Sequence, residues 1–256
     1  MPTPPYTPTD RLAGLMQLRL SEKSFKHADS LAELCAVCDL VFILDDRSDP
    51  PIPAKEWFAK YPKLQSIIRV DERDDPLWNE WTARNQLLLA AAKHHCNYVF
   101  WLDDDESFWP KADRSLVDPL IARMKQNPTL VSIHLPWLEI WNTPGQVRTD
   151  GWWGRISKPF LQKNPFFISS CICFPNNALH RIHCWPIQRG STEVIKHPAI
   201  LHYGMMTIDD RNCWRAKYLK QDPANEFAQQ AAKEWQQTMD ETIAQIKTIE
   251  EAVHGW

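Results

Sequence analysis

Hydrophobic positions in the first hundred residues alternate between two periods. RLAGLMQLRL (11–20), DLVFILDD (39–46), LQSIIRV (64–70) and YVFWL (98–102) are short apolar runs with strand character. SFKHADSLAELCAVC (24–38) and PLWNEWTARNQLLLAAAKHHC (76–96) carry apolar residues at helical spacing, and the second has Trp78, Trp81, Leu88 and Ala92 on one side and Pro76 near its start. KEWFAKYP (55–62) suits a short helix, and the prolines of RSDPPIP (47–53) mark a loop. Strand alternating with helix predicts a parallel sheet with helices on its faces, and such sheets take ligands beyond the carboxyl ends of their strands.

Farther on, 113–128 has helical spacing, 129–141 is strand-like with an aromatic end, and 142–159 reads as a loop or hairpin carrying Gly, Trp and Arg. Residues 160–200 mix short strands and turns. From Asp209 the pattern is helical, and Phe227, Ala231, Trp235, Met239, Ile243 and Ile246 form a stripe that needs a packing partner. The Pro-rich, polar residues 1–10 read as a disordered arm, with no basic region leading into an apolar one and hence no signal peptide.

The strand at 98–102 runs straight into Asp103, Asp104, Asp105 and Glu106. Adjacent carboxylates repel, so folding gives little reason for this cluster, and a bound cation gives one. Asp45 and Asp46 close another strand in the same way. Neither a G-x-G-x-x-G nor a G-x-x-x-x-G-K-[ST] pattern occurs, so the phosphates of a nucleotide would need some neutralising group other than a Gly-rich loop. The formal net charge is -3 and no Lys/Arg run marks a nucleic-acid or membrane surface. No apolar run has the length to span a bilayer, and a cytoplasmic location is expected. The seven cysteines then read as thiols, and Cys35 and Cys38, at C-x-x-C spacing near a helix end, as core residues rather than zinc ligands.

Several stretches, in order, resemble the family 2 glycosyltransferases, whose nucleotide-sugar-binding fold is called GT-A. RLAGLMQLRLSEK resembles the family's first strand and turn, and VFILDDRSD its acidic strand end. WTARNQLLLAAA is similar to its Arg-Asn helix, and VFWLDDDE to its Asp-x-Asp metal motif. VRTDGWWGRISKP resembles an acceptor-side loop of one branch, and LHYGMMTIDDRNCWRAKYLKQDP the closing segment of that branch. The resemblance implies an α/β fold: a GT-A-like, Rossmann-type mixed sheet flanked by helices, with a C-terminal helical segment. It covers 11–223, with a nucleotide-sugar half at 11–110 and an acceptor half at 111–223, before a C-terminal helix at 224–256.

By the same resemblance, Asp45, Asp46 and Arg84 would meet the nucleotide, Asp103 the ribose or the metal, and Asp105 and His202 the metal, which would be Mn²⁺ or Mg²⁺. Arg84 also stands out without it, as a charge inside a largely apolar helix. Glu106 would orient its neighbours or serve the acceptor side, where Trp152, Trp153 and Arg155 would also lie, although tryptophans are equally good core material. An inverting transferase needs a carboxylate base. The family's Glu-Asp pair is missing here, which leaves Asp150, Glu139 and Glu193 as candidates and the stereochemistry open. The expected activity is transfer of a sugar from a nucleotide-sugar, a UDP-sugar first of all, to an unidentified hydroxyl acceptor. The alternatives are a nucleotidyltransferase of similar fold, a metal-dependent nuclease, and a non-catalytic sugar- or metal-binding module.

Overall fold

A computed structural model describes residues 9–20, 24–25, 29–70, 80–150, 156–165, 190–204, 206–221 and 246–256. Its elements in chain order are β1 (Thr9–Leu18), α1 (Ser30–Val37), β2 (Leu40–Asp46), α2 (Ala54–Lys60), β3 (Leu64–Val70), α3 (Glu80–Lys93), β4 (Cys96–Trp101), β5 (Glu106–Trp109), α4 (Arg114–Gln126), β6 (Leu130–Glu139), β7 (Gln146–Arg148), β8 (Ser157–Lys163), β9 (Ser191–Val194), β10 (Ala199–His202), α5 (Ile208–Gln221), β11 (Ile246–Thr248) and α6 (Ile249–His254). The chain divides into two compact units, one of residues 1–134 with 159–195 and one of 135–158 with 196–256.

The first unit is the expected α/β layer structure, a mixed sheet flanked by helices. Its strands run in the order β3-β2-β1-β4-β8-β6, with β9 beside β6. β3, β2, β1 and β4 are parallel, and β8 runs antiparallel to β4. Alternation along β1 explains the layers. Ala13 and Leu15 join Phe42, Leu44, Val99 and Trp101 in a core closed by Ala83, Leu87, Leu88 and Ala91 of α3. Each large aliphatic side chain fully buried there contributes about 1.5–3 kcal/mol. The intervening Gly14 faces α1, and a Cβ added to it would lie 3.0 Å from Cys38 Sγ and 3.1 Å from Leu34 Cδ2. The missing side chain is what lets α1 lie against β1.

Local chemistry sets the element ends. Asp29 caps α1 by accepting from Ala32 N, and Asp113 caps α4 by accepting from Ser115 N. α1 begins at Ser30, later than the spacing from residue 24 suggests, and Phe25 before it has a left-handed φ of 58°. Thr9 and Asp10 belong to β1 rather than to the arm, and Asp10 pairs with Lys125 at 2.8 Å. Cys38 is buried and Cys35 partly so; burial pushes the Cys35 thiol up to about 11 and the Cys38 thiol well above its usual range, which disfavours the thiolate that zinc requires. Cys171 and Cys173 lie outside the described residues.

β6 continues from the first unit into the second, where β10 pairs with it in parallel, bringing His202 opposite Glu139. β7 and β11 form an antiparallel pair. The stripe read as helical through Ile246 is broken here: Ile246–Thr248 is strand, and Thr248 with Glu251 forms a capping box that starts α6. The rest of that stripe lies outside the described residues. Among the described residues no helix is long and apolar enough to cross a membrane.

The close approach at Gly14 makes a prediction. Gly14→Val should destabilise the protein by about 1–3 kcal/mol through overpacking against α1. Adding Cys38→Ala should recover part of that loss, as measured by urea denaturation in a double-mutant cycle. Simple additivity of the two changes would mean that Gly14 and Cys38 are not coupled.

Candidate active site

The strand order places a switch point. β2 and β3 extend to one side of β1, and β4 lies on the other, so the connections on either side of β1 part at the carboxyl ends of β1 and β4. Ligands of open parallel sheets bind at such a switch point. The acidic run 103–106 leaves β4 there.

The acid turn is held mainly by main-chain atoms. Leu102 N donates to Leu15 O at 3.4 Å, and Glu106 N donates to Asp103 O at 3.2 Å. Glu106 has 0% exposure, and its Oε2 accepts from Asp103 N at 2.8 Å. Ser30 Oγ, at the start of α1, donates to Glu106 O at 2.5 Å and to Asp104 O at 3.2 Å. Phe25 N also donates to Asp104 O, at 3.3 Å. Glu106 is thus the buried brace of the turn, while Asp103, Asp104 and Asp105 stay half-buried at the edge.

Beneath the turn lies Arg84. It is 2% exposed, its Nη2 is 3.7 Å from Asp103 Oδ1, and its Cζ is 4.9 Å from the centroid of the Trp101 ring. Trp101 Nε1 in turn donates to the buried Gln162 Oε1 at 2.8 Å. The helix that packs its apolar residues under β1 and β4 thereby delivers one cation to the acids. The structure brings Arg84 and Asp103 together.

Asp45 and Asp46 end the neighbouring strand and differ from one another. Asp45 is 1% exposed; Oδ1 accepts from Ser48 N at 2.8 Å and Oδ2 from Arg69 Nη1 at 2.8 Å. It organises the loop after β2. Asp46 is paired with Arg47 Nε at 2.9 Å and lies nearer the surface. Arg69, at the end of β3, is a site-edge cation that the sequence reading missed, since an isolated Arg at a strand end carries no pattern.

Burial and charge crowding act together on Asp104. The Asp104 carboxyl is raised from 3.8 to about 7, first by burial and then by the charge of Asp105, against a hydrogen bond from Ser24 that lowers it. An added positive charge would relieve this crowding, so the donor chemistry fits a hard divalent ion. Among the described residues no three His, Cys, Asp or Glu converge on one point. That does not conflict with the fit, because Mg²⁺-like ions are commonly bound by one or two carboxylates together with water and substrate phosphates.

The remaining candidates lie elsewhere. Glu193 is on β9 of the first unit and pairs with Arg123 at 2.9 Å. In the second unit, Glu139 is 0% exposed and its Oε2 lies 2.8 Å from His202 Nδ1. The Trp137 ring lies 4.3 Å from the His202 ring at 31°. A carboxylate holding Nδ1–H leaves Nε2 as a lone pair, for a metal or a proton. Asp150 is taken up by the buried Arg148, at 2.8 Å to Nε and 2.7 Å to Nη2, and is therefore not a free base. The Arg148 and Arg211 guanidiniums lie 4.8 and 4.1 Å from the Trp141 ring centroid. Asp105 belongs to the first unit and His202 to the second. Trp152, Trp153 and Arg155 lie outside the described residues.

No family model and no curated protein matches the chain. Solved structures match it at a distance, these two among them. A mycobacterial protein matches at 9% identity and a TM-score of 0.34, over 51% of this chain and 42% of its own length, so the chain spans less than half of that protein. CMP:2-keto-3-deoxy-manno-octonic acid synthetase complexed with CTP matches at 16% identity and a TM-score of 0.33, over 70% of this chain and 74% of its own. Neither similarity is close enough to bear on the chemistry.

A pH dependence follows from Asp104. Its folded-state value lies above the ordinary carboxyl value, so the native protein holds a proton that the unfolded chain releases, and stability falls as pH rises from about 4 to about 7. Asp104→Asn should flatten this fall. In metal-free thermal unfolding the variant should match the wild type near pH 4 and exceed it at pH 8. Parallel curves across that range would show that the Asp104 charge is not destabilising.

Proposed function

We propose that the protein is a metal-dependent glycosyltransferase of the family 2 type, moving a sugar from a nucleotide-sugar, a UDP-sugar first of all, to a hydroxyl acceptor. The observation that carries this reading is the braced acid turn at the β1/β4 switch point, with Arg84 buried behind it. The ordered resemblance of the sequence motifs supports it. Asp103 and Asp105 would hold a Mn²⁺ or Mg²⁺ ion, which supplies Lewis-acid stabilisation to the departing diphosphate. Arg84 fixes Asp103 and neutralises part of the turn before the ion arrives. Glu106 sets the backbone of the turn. Asp46 and Arg69 stand at the edge where the nucleoside would lie. Of the three candidate bases, Glu139 is the one that lies against an imidazole, and we assign it the positioning role for His202. Asp150 and Glu193 are each engaged by an arginine.

The test is direct. Calorimetry should show UDP binding with Mn²⁺ and almost none in EDTA, and equal binding in both would overturn the metal-bridged site. Incubation with a panel of nucleotide-sugars should release the diphosphate only with the metal, and Asp105→Asn should nearly abolish that release. Release of pyrophosphate from a nucleoside triphosphate and a free sugar would instead establish a nucleotidyltransferase. Arg84→Ala should weaken UDP binding about tenfold or more, because Asp103 loses a charged partner worth about 1.5–3 kcal/mol. An unchanged affinity in the folded variant would remove Arg84 from the site.

A further inference from the structure

Gln17 is a polar residue near the carboxyl end of an apolar strand. It lies two residues beyond Leu15, on the β1 face that packs against α3. Leu15 pairs with Trp101 of β4, so in this parallel register Gln17 stands level with Asp103. On its other side it pairs with Leu44, one residue before Asp45. It therefore sits at the switch point itself, on the same face as Trp101 and Arg84. Its Oε1 is buried and accepts no hydrogen bond.

A buried amide oxygen without a donor costs the folded protein about 1–3 kcal/mol. Leucine has a similar volume and would suit the neighbouring Leu15 and Leu44. A glutamine that lowers stability at a ligand-side edge has a rationale if a ligand supplies the missing donor. The rest of the edge is rich in carboxylates, which bind cations or donors but carry charge. Gln17 offers a neutral acceptor whose geometry is fixed by the strand.

We propose that Gln17 is a specificity residue of the nucleotide site, its Oε1 accepting a hydrogen bond from an N–H of the base or a hydroxyl of the ribose. This rests on the nucleotide-sugar reading above and adds to it the group that recognises the nucleoside. A diphosphate lacks a donor for this oxygen, and the carboxylates of the same edge are the stronger ligands for a metal, so Gln17 contributes to selection of the nucleoside and not to the charge balance.

The experiment compares wild type with Gln17→Leu by two readouts, thermal unfolding of the ligand-free protein and calorimetry with UDP and Mn²⁺. The variant should be at least as stable as the wild type, because an unmet acceptor is removed. It should bind UDP about threefold to tenfold more weakly, the range of one neutral hydrogen bond. The 2′-deoxy and 3′-deoxy forms of UDP separate the two sources. If one of them erases the difference between the proteins, the donor is that hydroxyl; if both preserve it, the donor is on the base. Equal UDP affinity in the two proteins, or a clear loss of stability in the variant, overturns the assignment of Gln17 alone. Absence of UDP binding by the wild type overturns the nucleotide reading and the Gln17 assignment with it.

Discussion

A guanidinium buried to 2% exposure is the constraint on which the candidate site depends. Burying Arg84 without a counter-charge would cost several kcal/mol. The acid turn offsets that cost, and Arg84 in turn limits the repulsion among Asp103, Asp104 and Asp105. Neither feature is readily tolerated without the other. The Trp101 ring against the guanidinium and the Gln162 amide on the indole N–H extend the same arrangement into the sheet. The site and the core beneath it are therefore one set of contacts, and α3 serves both through its apolar residues and its single buried cation.

Parallel pairing sets this local balance at the switch point of the sheet. β1 lies between β2 and β4, and its carboxyl end is where the two connections diverge. Gly14 allows α1 to approach one face, and the apolar residues of α3 cover the other. The polar groups at the strand ends then line an edge that both helices leave open. The loop after β2 is shaped by Asp45, whose carboxylate is spent on Ser48 and Arg69. Of the two strand-end acids on β2, Asp45 is thus engaged within the loop, while Asp46 lies nearer the surface.

Much of the first unit was legible because its signals are local. Apolar runs gave β1 to β4, and acids at the ends of β2 and β4 gave the edge. What escaped is non-local. β5 follows the acids too closely to show a period of its own, and Phe108 within it is buried against Phe100 and Phe160. β7 and β11 are three residues each and find one another across about a hundred positions, which no window of sequence reveals. The Glu139–His202 pair was visible only as two unrelated candidates, since the register of β6 and β10 makes the contact. Gln17 was passed over because a single polar residue in an apolar strand looks like noise until its oxygen is seen to be buried.

The hydrogen bonds from Ser30 to the turn carry a further meaning. One hydroxyl grips the carbonyls of both Asp104 and Glu106, and it belongs to the first residue of a helix whose own start is capped by Asp29. The backbone that carries the carboxylates cannot shift without breaking those hydrogen bonds. A rigid turn discriminates among ions by size. Ca²⁺ gathers six to eight oxygens at 2.3–2.6 Å and suits ligands that yield, whereas a smaller octahedral ion is satisfied by few fixed oxygens and its own water. In the metal-bound reading proposed above, the stiffness that α1 lends to the turn would act as a filter against calcium.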